Sequence, residues 1–312
     1  MHEVSVVIPC YNYGRFLGPA IESVLAQTRP AHEILVVDDG STDDTPEVAR
    51  RYAGRIRYLR QENGGVSRTR NAGVAQARGE AIAFLDADDW WRPEKLERQV
   101  AALAAHPAAG LIHTGSRVFD DGDQTTLCEF LPPPTLDVHA LIRCCSISAS
   151  SVLIPRRIFE TVGLFDEALV GTEDWDMWLR IVASHPVVGV PEVLVEYRSH
   201  GRSLSGQADR QFRNSMAALA KAGRLHPGCA ECRHALRAAR TQMRREYFRK
   251  LTALARLAFR ERRPAAGWRH RLAAVRHHPG FVWDLPQLLR ERLAARAAAA
   301  AAPQTSTRTQ LS

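Results

Sequence analysis

Ala81-Ile82-Ala83-Phe84-Leu85-Asp86-Ala87-Asp88-Asp89 carries the chain from a short apolar run straight into clustered carboxylates. The run reads as a buried strand, so the acids emerge at its C-terminal end. Glu33-Ile34-Leu35-Val36-Val37-Asp38-Asp39 repeats the arrangement. Val4-Ser5-Val6-Val7-Ile8, stopped by Pro9, and residues 56–59 supply two further strands. Between them lie helices. Leu17, Ala20, Ile21, Val24 and Leu25 have helical spacing within 16–27, and Ser41 or Thr42 can cap a helix starting near Thr45-Pro46. Gly64-Gly65 breaks the chain before a helix over 67–76, and 94–105 is amphipathic. Repeated βα units predict an α/β fold with a doubly wound, mostly parallel, Rossmann-like sheet. Such sheets bind ligands beyond the strand C-termini. Carboxylates gathered there repel one another, and a divalent cation with oxygen ligands is the usual remedy. A cation held there attracts phosphate, which points to an enzyme acting on a nucleotide or another phosphorylated substrate.

Charge divides the 312 residues unevenly. Residues 1–206 hold 20 Lys/Arg against 28 Asp/Glu, whereas 207–312 hold 22 against 6, and the whole chain carries +8. The expected organisation is a nucleotide-binding half over 1–105 and a second half of the same domain over 106–206. A basic helical extension over 207–297 and a disordered tail over 298–312 follow. Leu236, Ala239, Met243, Tyr247, Leu251, Leu254 and Ala258 set the helical spacing of the extension, with arginines between them. Its charge suits either a solvated helical face or an anionic partner such as a membrane surface. No stretch approaches the ~20 apolar residues that cross a bilayer, and no secretory signal precedes the first strand. The six cysteines have irregular spacing, unlike a disulfide framework. A cytoplasmic location is expected, with peripheral contact at the inner face of the cell membrane.

Five stretches in order resemble family 2 glycosyltransferases over residues 4–205. They are Val4-Ser5-Val6-Val7-Ile8-Pro9-Cys10-Tyr11-Asn12; Val36-Val37-Asp38-Asp39-Gly40-Ser41-Thr42-Asp43; Asn63-Gly64-Gly65-Val66-Ser67 with Arg70-Asn71; Phe84-Leu85-Asp86-Ala87-Asp88-Asp89; and Thr172-Glu173-Asp174-Trp175-Asp176-Met177-Trp178-Leu179-Arg180. The resemblance implies the GT-A fold, a nucleotide-diphospho-sugar donor and transfer with inversion. It assigns Pro9, Tyr11, Asp39, Arg70, Asp86, His200 and Arg202 to the donor, with Tyr11 stacking on the base and Asp39 accepting a uracil or thymine imide N–H. Asp38 is expected to fix its loop instead. Asp86-Ala87-Asp88 corresponds to the family's DXD motif, so Asp88 and Asp86 are expected to ligate Mg²⁺ or Mn²⁺. Glu173 and Asp174 match the catalytic acid pair, with Asp174 as general base. Trp175 and Trp178 are expected to give a sugar acceptor its apolar platform. The implied partners are the nucleotide-sugar and a glycan or lipid-linked acceptor of surface polysaccharide synthesis, not a nucleic acid.

Two other classes compete. Ile34-Leu35-Val36-Val37-Asp38-Asp39 with Leu85-Asp86 also resembles the acid pocket of a receiver domain, with the basic helices as a DNA-binding output. That reading leaves Val4-Ser5-Val6-Val7-Ile8 unexplained and lacks the downstream lysine, since none lies between Lys95 and Lys221. A non-catalytic sugar-nucleotide binder would need no Glu173-Asp174 pair. Outside these stretches, His226-Pro227-Gly228-Cys229-Ala230-Glu231-Cys232-Arg233-His234 offers four zinc-type ligands. Nine residues leading into a helix rarely surround one ion, so this segment reads first as a helix-connecting turn.

Overall fold

The apolar strands assemble as their alternation requires. The structure, a computed structural model, describes residues 2–200 and 208–277. In chain order the elements are β1 (Val4–Cys10), α1 (Gly14–Leu25), β2 (Glu33–Asp38), α2 (Thr45–Arg50), β3 (Arg57–Arg60), α3 (Val66–Gln76), β4 (Ala81–Phe84), β5 (Trp90–Trp91) and α4 (Lys95–Ala105). Then follow β6 (Leu111–Asp120), β7 (Thr126–Phe130), α5 (Val138–Arg143), β8 (Val152–Pro155), α6 (Arg157–Val162), α7 (Glu173–Val182) and β9 (Val187–Ser199). Helices α8 (Ala208–Ala222), α9 (Ala230–Arg260) and α10 (Pro264–His277) complete the described chain.

One sheet runs in the order β3-β2-β1-β4-β8-β6-β9-β5, with β7 paired to β6. Strands β1 to β4 are mutually parallel, with Val7 opposite Leu35 on one side and Phe84 on the other. Beyond β4 the sheet is mixed: β8 runs antiparallel to β4 and β6, while β6 and β9 are parallel. The α/β fold expected from the sequence is therefore present, with its parallel character concentrated in the first half. Side chains alternate across the sheet, as the two-residue period of a strand demands. Val7, Val37, Ile82 and Phe84 join one buried cluster, which also takes Trp175, Trp178, Leu219 and Leu236 from the helices. Val6, Ile8, Val36, Ala83 and Leu85 join the other, with Leu17 and Ile21 of α1 and Leu96 of α4. Burial on both faces is why these strands read as unbroken apolar runs.

Pro9 does not end β1, contrary to the sequence reading. The strand continues to Cys10, with Pro9 opposite Val37. Pairing with β4 stops at Val7 opposite Phe84, and the Val7 carbonyl accepts from the Leu85 amide on that side. The side on which proline lacks a donor thus has no strand to pair with, and no ladder bond is lost.

The chain divides into two units, the first ending at Met243 and the second beginning at Arg244. Ala218, Leu219 and Ala222 of α8 and Cys232, Ala235, Leu236 and Ala239 of α9 are buried in the first unit's core. In the second unit Leu251, Ala255, Ala258 and Ala274 are buried. The expected tail over 298–312 lies outside the described residues. Among the described residues no helix is long and apolar enough to cross a membrane.

Candidate active site

The carboxylates at the ends of β2 and β4 and at the start of α7 meet along one edge of the sheet. At its first end, Asn12 adopts a left-handed backbone (φ 55). Its amide donates to Ser41 Oγ (2.9 Å), and its side-chain oxygen accepts from the Thr42 amide (2.7 Å). This stitches the loop after β1 to the loop after β2, where Tyr11 is 47% exposed. Asp38 is wholly buried and accepts from the Ser41 amide (2.8 Å) and the Tyr58 hydroxyl, the loop-fixing role expected of it. Asp39 is 3% exposed, and its carboxylate accepts from Gln61 Nε2 (2.7 Å) and the amides of Gly64 (3.0 Å) and Gly65 (2.8 Å). Three of its roughly four acceptor positions are therefore committed to the loop before α3.

That loop sets up the centre of the site. Gly65 (φ 90) starts α3, which presents Arg70 on its buried side. Arg70 is 3% exposed and donates Nη2 to Asp86 Oδ1 and Nη1 to Glu173 Oε1, both at 2.7 Å. The arginine expected to meet base or phosphate instead braces the acids after β4 to the start of α7. Buried guanidinium–carboxylate contacts of this kind need good geometry to offset desolvation, and two bonds at 2.7 Å supply it.

The three acids after β4 have different surroundings. Asp89 is 2% exposed and accepts from Ser150 Oγ (2.6 Å) and the Arg198 amide (3.0 Å), a structural arrangement. Asp86 keeps one bond to Arg70 and is partly open. Asp88 lies with Oδ2 2.9 Å from His200 Nε2, and the imidazole packs edge-on to Tyr13. Burial, then the Asp86 charge, pushes the Asp88 carboxyl above its usual range. Among the described residues Asp86 shares its Arg70 partner with Glu173. The donors facing the cleft are carboxylate oxygens, a set that fits Mg²⁺ or Mn²⁺ rather than a soft metal. Arg202, and the Gly201 that precedes it, lie outside the described residues.

At the far end, Glu173 is committed to Arg70 and to the Gly171 amide (2.6 Å). Among the described residues no cation is bonded to Asp174, although the Arg70 charge also acts on it. It accepts from the Trp175 amide (2.7 Å), and burial followed by the Glu173 charge raises its pKa to about 7. A carboxyl poised there can take a proton near neutrality. The Tyr197 phenol is raised by burial and then by Asp89, Asp86, Asp88 and Asp174, so these acids surround one place.

Trp175 and Trp178 are not a sugar platform. They are 3% and 0% exposed; Trp175 donates Nε1 to the Leu141 carbonyl (2.8 Å), and Trp178 packs edge-on against Phe165. Three-residue spacing puts both rings on the face of α7 that packs onto the sheet. Residues that the sequence did not single out also shape the site. Ser150 bonds Asp89 and the Asp86 amide, Arg198 donates Nε to the Asp88 carbonyl (2.9 Å), and Gln61 holds Asp39. Of these only Ser150 lies in the serine-rich stretch Ser146-Ile147-Ser148-Ala149-Ser150-Ser151.

A family model described as "Glycosyl transferase family 2" matches residues 5–163. An uncharacterized glycosyltransferase of Rickettsia prowazekii is 33% identical over 67% of this chain and 68% of its own, although a longer Rickettsia felis relative is covered for only 34% of its length. The putative teichuronic acid biosynthesis glycosyltransferase TuaG of Bacillus subtilis is 30% identical over 72% of this chain and 89% of its own. Among solved structures, S. aureus TarS 1-349 in complex with UDP superposes with a TM-score of 0.61 at 18% identity, covering 91% of each chain. Mannosyltransferase PcManGT from Pyrobaculum calidifontis, in complex with GDP-Man and Mn²⁺, gives 0.60 at 20% identity over 97% of this chain and 81% of its own. These last likenesses establish the GT-A fold.

Proposed function

Because the chain belongs to glycosyl transferase family 2, a family of glycosyltransferases, we propose that it moves a sugar with inversion from a uridine- or thymidine-diphospho-sugar to a hydroxyl of a surface-polysaccharide acceptor. The observation that carries this reading is the division of labour within the acid pair: Glu173 is bonded by Arg70, whereas Asp174 has no bonded cation among the described residues and is raised to about 7 by burial and the Glu173 charge, which outweigh the nearby Arg70 charge. Asp174 takes the proton of the acceptor hydroxyl as that oxygen attacks the anomeric carbon from the face opposite the diphosphate. The bond to the diphosphate oxygen breaks as the new glycosidic bond forms. Tyr11 stacks on the base, and the remaining acceptor position of Asp39 reads its imide edge. Asp88 and Asp86 would hold Mg²⁺ or Mn²⁺, whose charge when bound offsets that of the departing nucleoside diphosphate. His200 and Arg202 are assigned to the donor phosphates. The complexes of TarS with UDP and of PcManGT with GDP-Man and Mn²⁺ support the donor class and a divalent ion. The names of TuaG and of an E. coli glucosyltransferase acting on a diphosphoundecaprenol-linked sugar support a surface-glycan, lipid-linked acceptor.

The reading is tested by a panel of nucleotide-sugars with Mg²⁺ or Mn²⁺, scored by thermal shift and by slow donor hydrolysis. Stabilisation by one uridine or thymidine donor, dependent on the cation and lost in Asp88→Ala, is expected. A panel in which no nucleoside diphosphate shifts the melting point refutes it. The second unit bears on the acceptor. Leu254, Leu257, Trp268 and Leu272 are exposed there among Arg256, Arg260, Arg269 and Arg271. Apolar side chains interspersed with arginine suit peripheral contact with an anionic leaflet, where a lipid-linked acceptor resides.

A further inference from the structure

The Cys-x-x-Cys segment, which the reaction does not use, lies in the first unit against a histidine from a distant element. After α8 the chain passes His226-Pro227-Gly228 and turns at Gly228 (φ 89) into α9. Cys229 and Cys232 then project from the first turn, and the Cys232 amide donates to Cys229 Sγ at 3.3 Å. His139, on α5 and ninety residues earlier, places Nε2 3.6 Å from Cys229 Sγ. Ligand atoms of His139, Cys229 and Cys232 all lie within 4.8 Å of one another. His226 places Nδ1 3.6 Å from Cys232 Sγ but lies outside that group of three, so its imidazole must shift toward Cys229 to complete a tetrahedron. His234, the fourth ligand suggested by the sequence, is instead exposed.

We propose that Cys229, Cys232, His139 and His226 form a structural zinc site that ties the start of α9 to α5. Two arguments carry it. With metal–sulfur bonds of ~2.3 Å and metal–nitrogen bonds of ~2.0–2.1 Å, tetrahedral angles put sulfur and nitrogen about 3.6 Å apart. Both sulfur–imidazole distances have that value. The second argument lies in the far nitrogens. His226 Nε2 is 3.1 Å from the Ala183 carbonyl, which can only accept, so the ring proton sits on Nε2 and the Nδ1 lone pair faces the sulfur. His139 Nδ1 lies 3.5 Å from Asp137 Oδ1 and 3.6 Å from Glu231 Oε2, which favour the proton on Nδ1 and leave Nε2 toward Cys229. A carbonyl or carboxylate behind each imidazole is the arrangement that orients histidine ligands in metal sites. Two thiolates and two imidazoles select zinc, whereas the oxygen donors of Asp86 and Asp88 do not. The site would also steady the catalytic end of the molecule. Helix α5 holds Trp175, next to Asp174, through the Leu141 carbonyl.

The full chain, produced with zinc and purified under reducing conditions, should carry about one zinc per chain by elemental analysis. Cys229→Ser and Cys232→Ser should abolish this. His139→Ala and His226→Ala should weaken zinc by at least about tenfold in competition with a chromophoric chelator. His234→Ala and Asp88→Asn should leave zinc content unchanged. Cobalt substitution should give the visible bands of a tetrahedral thiolate site. If the serine variants fail to fold, the parent protein still decides the matter: chelation should lower its melting temperature, and zinc but not magnesium should restore it. Zinc in fewer than about one chain in ten overturns the proposal. So does a Cys229–Cys232 disulfide in place of metal, equal loss in His234→Ala, or parent affinity in His226→Ala.

Discussion

At the scale of single residues the site is governed by where one buried cation is directed. Arg70 meets Asp86 and Glu173, so removing it strands two carboxylates in a low-dielectric cleft. Arg70→Met should lose about 3–5 kcal/mol in urea unfolding; a variant as stable as the parent would show that the acids find other partners. Asp174 behaves oppositely. Its pKa in the folded protein, about 7, lies above that of an unfolded aspartate. The neutral carboxyl therefore stabilises the fold fully at acid pH, and this contribution is lost as pH rises through about 7. Turnover, which needs the carboxylate, should rise over the same interval. Asp174→Asn keeps a neutral side chain able to accept from the Trp175 amide. It should bind donor, lose turnover, and melt above the parent at about pH 8, by on the order of 1 kcal/mol, with little difference near pH 4. Transfer at the parent rate would remove Asp174 from the mechanism.

At the scale of elements, the position of Arg70 depends on how closely α3 lies on β1. A Cβ on Gly73 would fall 2.3 Å from Val7 Cγ1, and Val7 is wholly buried in a β-branched rotamer with little room to yield. Gly73→Val should push α3 off the sheet, cost about 1–3 kcal/mol, and reduce activity beyond its effect on folding because Arg70 shares that helix. An unchanged urea midpoint would mean the helix can slide. Element boundaries also explain which strands the sequence hid. All of β7 is exposed and offers no apolar alternation to read. Strand β9 runs from Val187 through Pro191 to Ser199, and the proline and glutamate at 191–192 interrupt its apolar run.

At the scale of the whole molecule the charge division pairs an acidic body with a basic helical end. Leu272 is 69% exposed on α10. Burying such a side chain in an interface yields ~1.5–3 kcal/mol, so Leu272→Glu should weaken binding to anionic vesicles about tenfold or more in co-sedimentation. Binding of the parent should fall with salt. Neutral vesicles captured equally well would argue against an electrostatic membrane surface.

Apolar runs and their spacing were sufficient to read the α/β sheet and to put Asp39, Asp86 and Asp88 just beyond strand ends, because strand burial is written in local sequence; Asp174 entered only through the family resemblance. Partnership was not written there. That Arg70 serves carboxylates, that Trp175 and Trp178 are core, that Glu173 is spent on an ion pair and that His139 rather than His234 faces the cysteines all depend on residues far apart in the chain. No local pattern encodes such pairings, since only the packed fold decides which side chains share a cleft and which are shut away from water.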